Sequence, residues 1–343
     1  MNYFNRIEED LNLVIALASE KYKQEIQSIF LEGSYGRGEG AFLLKDKIYY
    51  PINDYDILIV TKKSWDNQMY LDFKKLVKKM KVPRLDISIL AFDKLKKKKY
   101  TLARYDLIMN SKIIYGDKNF LDVVVKFDQS KIPFREKEQL FFSRLIGLLL
   151  FKYNRSLDKH YNLQQLSKSV VSAYESNLLQ NNIYSSSYKS NRDNIDNINF
   201  ISIGDKDLLK QAYCIKLEPS LIDFEKINED IFFDKSSIFV REQFYKLLKE
   251  HNRIFESVFW YNLYFWIRPR RIIQILISFI TDKKYIKDLM LISVQLKIFL
   301  NQFELEEKEF RSVKKGLEII TRQKFENMEE LIKYVIKTRM GWV

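Results

Sequence analysis

Leu31 to Val60 reads LEGSYGRGEGAFLLKDKIYYPINDYDILIV, and its two ends decide the fold. Upstream, Glu25 to Leu31 (EIQSIFL) has the short apolar character of a buried strand and runs directly into Gly33-Ser34. At the other end, Tyr55 to Val60 (YDILIV) is a second strand-like run, with Asp54 and Asp56 spaced two apart. Side chains on a strand alternate between faces, so this spacing puts both carboxylates on one side of the sheet. Glycine permits a tight turn and close backbone approach, which lets Gly33-Ser34 offer amides and a hydroxyl to phosphate oxygens. Arg37 adds a fixed positive charge to the same turn.

Working outward, residues 1 to about 22 have helical periodicity, and Trp65 to Met80 reads as the helix after the second strand. A further strand is expected over Arg84 to Ala91 (RLDISILA), a helix over Thr101 to Asn110, and a short strand over Lys112 to Tyr115 ahead of Gly116-Asp117. Helix, strand, strand, helix, strand in this order describes a compact unit mixing sheet and helix rather than a bundle. From about Phe134 the texture changes to long helical segments: Arg135 to Tyr153, Leu163 to Gln180, Lys206 to Lys216 and Ser236 to Phe259. Asn181 to Asn199, rich in Ser, Asn and Tyr, reads as an irregular connection among them. The expected organisation is α+β, with a small mixed-sheet domain over residues 1–130 and a mainly helical domain over 131–343.

Composition agrees with a globular chain. Its 343 residues are 46% hydrophobic and 15% aromatic, enough to bury a substantial core, and only 9 Gly and 5 Pro interrupt its helices. The single cysteine, Cys214, forms no internal disulfide, and two histidines with one cysteine exclude a thiolate or imidazole zinc cluster. Such cysteine use points to a reducing, cytoplasmic compartment. The N-terminus has acids ahead of its apolar stretch and no basic leader, so it reads as an amphipathic helix rather than a signal peptide. No apolar run approaches the roughly 20 residues of a membrane span; Ile272 to Ile280 comes nearest and reads as a buried helix. A net charge of +13 suits nucleic acid, an anionic surface or a phosphate-bearing substrate, but Lys-rich composition with solvated faces explains it equally well. The same two readings apply to the aromatic run Phe259 to Trp266, as stacking platform or core, and to Arg268, Arg270 and Arg271, as polyanion contact or solvated helix start.

Three strand-borne acids carry the chemistry. Asp86, between Leu85 and Ile87, supplies a third carboxylate from a strand adjacent to that of Asp54 and Asp56. Hard divalent cations prefer carboxylate oxygens, and two such ions serve nucleotidyl transfer by activating the attacking oxygen and neutralising charge on the α-phosphate and pyrophosphate. LEGSYGRGEG, NDYDILIV and RLDISIL together resemble the signature of the DNA polymerase beta-like nucleotidyltransferase superfamily, and KIIYGD is similar to the closing segment of many bacterial members. The resemblance covers residues 25–117. It implies a polymerase beta-like palm, Gly33 and Ser34 in the phosphate-binding turn, and Arg37 at the triphosphate. It further implies Asp54, Asp56 and Asp86 as metal and catalytic carboxylates, with two Mg²⁺ ions or Mn²⁺ in their place. Asp86 would then help to deprotonate the acceptor hydroxyl, with Glu39 in the GRGEG turn as an alternative base or a cap for the segment that follows. Lys168, Ser187 and Tyr188 resemble the lysine and Ser/Tyr groups that some members place against the triphosphate. One departure is clear: the Ser34 to Asp54 interval is longer than the family's, with AFLLKDKIYYPIN inserted as a small hairpin ending near Pro51.

The expected partners are therefore a nucleoside triphosphate and an unidentified acceptor: a small molecule, a protein side chain or an RNA 3′ end. No recognised RNA-binding module selects nucleic acid. The order of a catalytic domain followed by helices resembles the antibiotic nucleotidyltransferases and toxin-type members alike. The alternative is a catalytically inactive nucleotide- or nucleic-acid-binding regulatory protein.

Overall fold

The strand ending in Glu32 organises everything around it. The computed structural model describes residues 3–45, 48–80, 82, 84–96, 100–117, 120, 127–250, 324, 326–327 and 330–334. In chain order the first part contains α1 (Tyr3–Lys21), β1 (Ile26–Glu32), the single turn α2 (Gly33–Gly36), β2 (Phe42–Lys45), β3 (Ile48–Pro51) and β4 (Tyr55–Thr61). It continues with α3 (Asn67–Lys75), β5 (Leu85–Ala91), α4 (Phe92–Lys96), α5 (Leu102–Asn110) and β6 (Lys112–Gly116). Helices dominate the rest: α6 (Phe134–Arg144), α7 (Ile146–Tyr153), α8 (Lys159–Gln180), α9 (Tyr188–Asp193), α10 (Ile203–Leu217) and α11 (Glu229–Glu250). This is the α+β class expected.

β5, β4, β1 and β6 form one sheet in that order, antiparallel except for the parallel β4–β5 pair. Alternation assigns its two faces. Ile29 and Leu31 of β1, Ile57 and Ile59 of β4 and Leu85 of β5 point into a core with Leu11, Val14 and Ala18 of α1 and Met69 and Phe73 of α3. On the other face Phe30, Leu58 and Val60 pack with Leu95, Leu107 and Phe120. The acids occupy the open end of this second face.

The inserted stretch after the Gly33 turn does form a two-stranded hairpin, β2 with β3, paired from Phe42↔Pro51 to Lys45↔Ile48. Its base is pinned: the Ile52 amide donates to the Ala41 carbonyl (3.1 Å), and the Ala41 amide donates to Asn53 Oδ1 (3.1 Å).

Three boundaries depart from the expectations. The helix read over Trp65 to Met80 starts at Asn67, because the Asp66 carboxylate caps it by accepting from the Met69 amide, and it ends as a 3-10 turn over Leu76–Lys78. The helix read over Arg135 to Tyr153 is two helices, broken where the Ser169 hydroxyl takes the Arg144 carbonyl. Part of the connection read as irregular is α9, capped by Ser187, whose hydroxyl accepts from the Ser190 amide.

Contacts divide the chain into two units. One comprises Met1–Lys137 with Leu178–Asp223, the other Glu138–Asn177 with Phe224–Val343. A division at residue 130 assigned 178–223 to the helical part, whereas by contacts this segment groups with the sheet. The second unit has its own core, in which Phe151 stacks on Phe233 (4.9 Å between centroids) and Phe141 meets Phe244 (5.4 Å). Among the described residues, no helix is long and apolar enough to cross a membrane. Phe259 to Trp266 and the Arg268, Arg270, Arg271 group lie outside the described residues.

Candidate active site

Asp54 precedes β4, Asp56 is its second residue, and Asp86 is the second residue of β5. The parallel register sets Asp56 directly beside Asp86. One carboxylate oxygen from each of the three lies within 4.8 Å of the others. Desolvation pushes the Asp56 carboxyl up to about 6, and the charges of Asp54 and Asp86 push the same way against Arg37 and Arg84. The donor set is all oxygen and carries mutual repulsion, which fits a hard divalent cation rather than zinc.

Two basic side chains already lean on this cluster. The Arg84 guanidinium donates to Asp54 Oδ2 at 3.0 Å and to Asp86, and Lys74 Nζ lies 3.8 Å from Asp86 while donating to the Leu85 carbonyl. With an Arg84 side chain 61% exposed, these ion pairs are screened by water and readily exchanged.

Gly33 follows at the end of β1, where Glu32 is the register partner of Asp56. Its φ of +62° lies in the left-handed region, and a Cβ there would stand 2.0 Å from Asp56 Oδ2. Both facts demand glycine, because the turn must pass its backbone against the carboxylate. Ser34 lies within the turn that follows.

Arg37 is fixed by two contacts. Its Nε donates to Glu39 Oε2 at 3.0 Å, and its guanidinium lies 4.4 Å over the Tyr188 ring, whose centroid is 4.2 Å from Lys216 Nζ. Glu39 in turn accepts from the Ser187 hydroxyl (2.6 Å) and from the amides of Tyr188 (3.0 Å) and Lys189 (2.9 Å). A carboxylate at a helix N-terminus satisfies amides that have no partner within the helix. Glu39 therefore caps α9, more than a hundred residues away, rather than the segment following it. Ser187 and Tyr188 thus come to the Arg37 turn, whereas Lys168 belongs to the other contact unit.

Glu32, Arg84 and Asp106 also stand at this site, although no motif in the sequence marks them. Glu32 is pushed up to about 7 by burial and by the charges of Asp56 and Asp106. Burial likewise pushes Asp106 up to about 6, against Arg37 and a hydrogen bond from the Tyr184 hydroxyl (3.2 Å). Glu32 had a signal, since it stands next to Gly33 and two residues beyond the inward-facing Phe30. Asp106 had none, because only the packing of α5 brings it here.

An α+β chain with strand-borne carboxylates gathered beside a glycine turn is what fold and site define together. The sequence matches no family model and no curated protein. Among solved structures, this chain is similar to the crystal structure of a spectinomycin adenyltransferase from Enterococcus faecialis with ATP and spectinomycin. That likeness has a TM-score of 0.41 and 12% identity, and it covers 68% of this chain and 99% of that chain.

Proposed function

We propose that the chain is a metal-dependent nucleotidyltransferase of the polymerase beta-like superfamily, moving a nucleoside monophosphate from a nucleoside triphosphate to an acceptor hydroxyl. The observation that carries this reading is the meeting of Asp54, Asp56 and Asp86 at the edge of a turn whose Gly33 backbone presses against Asp56. Catalysis falls to the sheet-bearing 1–130 domain.

Asp54, Asp56 and Asp86 would hold Mg²⁺ or Mn²⁺. Two such ions supply charge neutralisation at the α-phosphate and the departing pyrophosphate. The chain's own groups do the rest. Gly33 and Ser34 orient the phosphates through amide and hydroxyl donors, and Arg37, locked by Glu39 and Tyr188, keeps a positive charge beside the turn. Ser187 and Tyr188, beside Glu39 and Arg37, are candidates for further contacts to the triphosphate, and Lys168 is a candidate on the sequence resemblance alone. The acceptor oxygen attacks the α-phosphorus, the bond to the bridging oxygen breaks, pyrophosphate leaves, and the hydroxyl proton passes to Asp86.

Pyrophosphate release from each of the four triphosphates, with Mg²⁺ and then with EDTA, is the test. Asp54→Asn combined with Asp56→Asn should lower release by about a thousandfold or more, while thermal unfolding stays unchanged or moves up. Undiminished release from that variant would sink the reading.

A second reading, a nucleotide- or nucleic-acid-binding regulatory protein without turnover, has one observation in its favour: Arg84 already bonds Asp54 and Asp86 and offsets part of their charge. It expects triphosphate binding in EDTA to survive the same double substitution.

A further inference from the structure

Tyr55 stands between Asp54 and Asp56, and alternation turns its side chain away from theirs into the apolar core under α1 and α3, where it is fully buried. A phenylalanine would fill that place with apolar surface alone. The tyrosine brings a hydroxyl that needs a partner once it is out of water. It donates to Asp10 Oδ2 at 3.2 Å, and Asp10 Oδ1 accepts from the guanidinium of Arg6, one turn earlier on α1, also at 3.2 Å. Asp10 is 1% exposed and Arg6 8%, so a phenol, a carboxylate and a guanidinium meet out of water.

Stability alone does not account for such a group. Apolar side chains of similar volume in place of a buried ion pair are often neutral or stabilising, because desolvation cancels much of the attraction. What the three residues fix is position. The Tyr55 amide donates to the Arg84 carbonyl (3.1 Å), and its ring meets the Tyr35 ring edge-on at 4.8 Å between centroids. Tyr35 lies in the turn opened by Gly33, and its hydroxyl donates to the Ala41 carbonyl (3.0 Å) at the base of the hairpin. A Cβ on Gly40 would stand 2.1 Å from the Tyr35 ring, so the chain closes directly over that ring. Tyr55 thus ties together α1, the residue ahead of β5, the Gly33 turn and the backbone between the two acids.

We propose that Asp10 is a positioning residue of the carboxylate site, a role that rests on the metal-dependent reading above. By holding the Tyr55 hydroxyl it sets the backbone that carries Asp54 and Asp56, and through the Tyr35 ring it seats the Gly33 turn against them. Metal ligands must be held within about 0.5 Å of their productive geometry. Groups that orient such ligands from behind are typically worth roughly 10–100-fold in metal affinity or activity. The coupling runs through the phenol hydroxyl and not through apolar packing at large.

Mn²⁺ binding to the full chain, read by electron paramagnetic resonance, is to be measured beside pyrophosphate release and denaturant unfolding. Tyr55→Phe, which removes only the hydroxyl, should weaken Mn²⁺ about tenfold and raise the Mg²⁺ needed for half-maximal release by a similar factor. Asp10→Leu should do the same. Asp10→Asn loses the charge but keeps an oxygen for the phenol, so it should bind Mn²⁺ within about twofold of wild type while unfolding more easily. Val14→Ala, one turn further along α1, should unfold more easily with Mn²⁺ binding unaltered. Should Asp10→Leu fail to fold because it strands Arg6, the combined Arg6→Met, Asp10→Leu, Tyr55→Phe variant makes the whole set apolar. It should unfold no more easily than wild type and still bind Mn²⁺ about tenfold more weakly. Wild-type Mn²⁺ affinity in Tyr55→Phe or in the combined variant, Asn no better than Leu at position 10, or a loss in Val14→Ala as great as in Tyr55→Phe would overturn the proposal. Mn²⁺ bound with the expected pattern but no pyrophosphate released would sink nucleotidyl transfer and leave the positioning role standing. Release that ignores every change at Asp10 and Tyr55 would do the reverse.

Discussion

On one face of the central sheet, Ile29, Ile57 and Ile59 are 2% exposed or less and lie under α1 and α3. On the other face, β1 and β4, with β5 beside them, carry Glu32, Asp56 and Asp86 toward the Gly33 turn. The strands are shared, so the alternation of side chains alone divides a sealed core from a chemically active surface. The sealed face draws its stability from apolar burial. The acid face crowds ionisable groups that oppose one another, which costs stability unless a cation or a proton arrives.

The sharpest way to break that contrast is to exchange the expected effects. Phe73→Ala, at a fully buried site beneath the sealed face, should cost roughly 3–5 kcal/mol in denaturant unfolding, while the folded fraction keeps its turnover. A loss of turnover per folded molecule would show that the two faces are not separable. Gly33→Ala works from the other side. Its Cβ collides with the Asp56 carboxylate and its φ is unfavourable, so transfer should fall about a hundredfold, roughly 2.7 kcal/mol of barrier, with triphosphate binding as a parallel readout. Wild-type rates in this variant would detach the turn from the site.

Asp106→Asn sharpens the comparison with the smallest effect. A carboxyl raised in the folded state to about 6 stabilises the fold most below its unfolded value near 3.8, and that contribution disappears as pH rises through about 6. The wild-type chain without divalent ions should thus lose stability between about pH 4 and 7, with Glu32, raised to about 7, acting in the same direction. Asn cannot ionise and keeps an acceptor for the Tyr184 hydroxyl. The variant should therefore match wild type at pH 4 and exceed it by on the order of 2 kcal/mol at pH 8. Parallel melting curves across that range would remove the acid face as a source of strain.

Much of this division was legible in the chain itself. Asp54 and Asp56 share a face because they are two apart, and Asp86 follows the same logic on the next strand. The hairpin was visible between the two halves of the motif. What stayed hidden depends on distant register and packing: Glu39 reads as a local cap until α9 is seen to start against it, and Arg84 is only the first residue of an expected strand until the pairing of β4 with β5 brings Asp54 to it. α9 itself was masked by a Ser- and Asn-rich composition that local propensity assigns to loops, although the Ser187 hydroxyl gives it a proper start.

The pinned base of the β2–β3 hairpin means that the chain leaves and re-enters the site at one place. Ala41 bonds both Ile52 and Asn53, so the distance across the gap is set by two hydrogen bonds and not by the number of residues between. Counting along the sequence therefore misjudges how near Ser34 stands to Asp54. Length can be added or removed beyond that clasp at little entropic cost, which makes the hairpin a natural port for grafting a tag or a reporter.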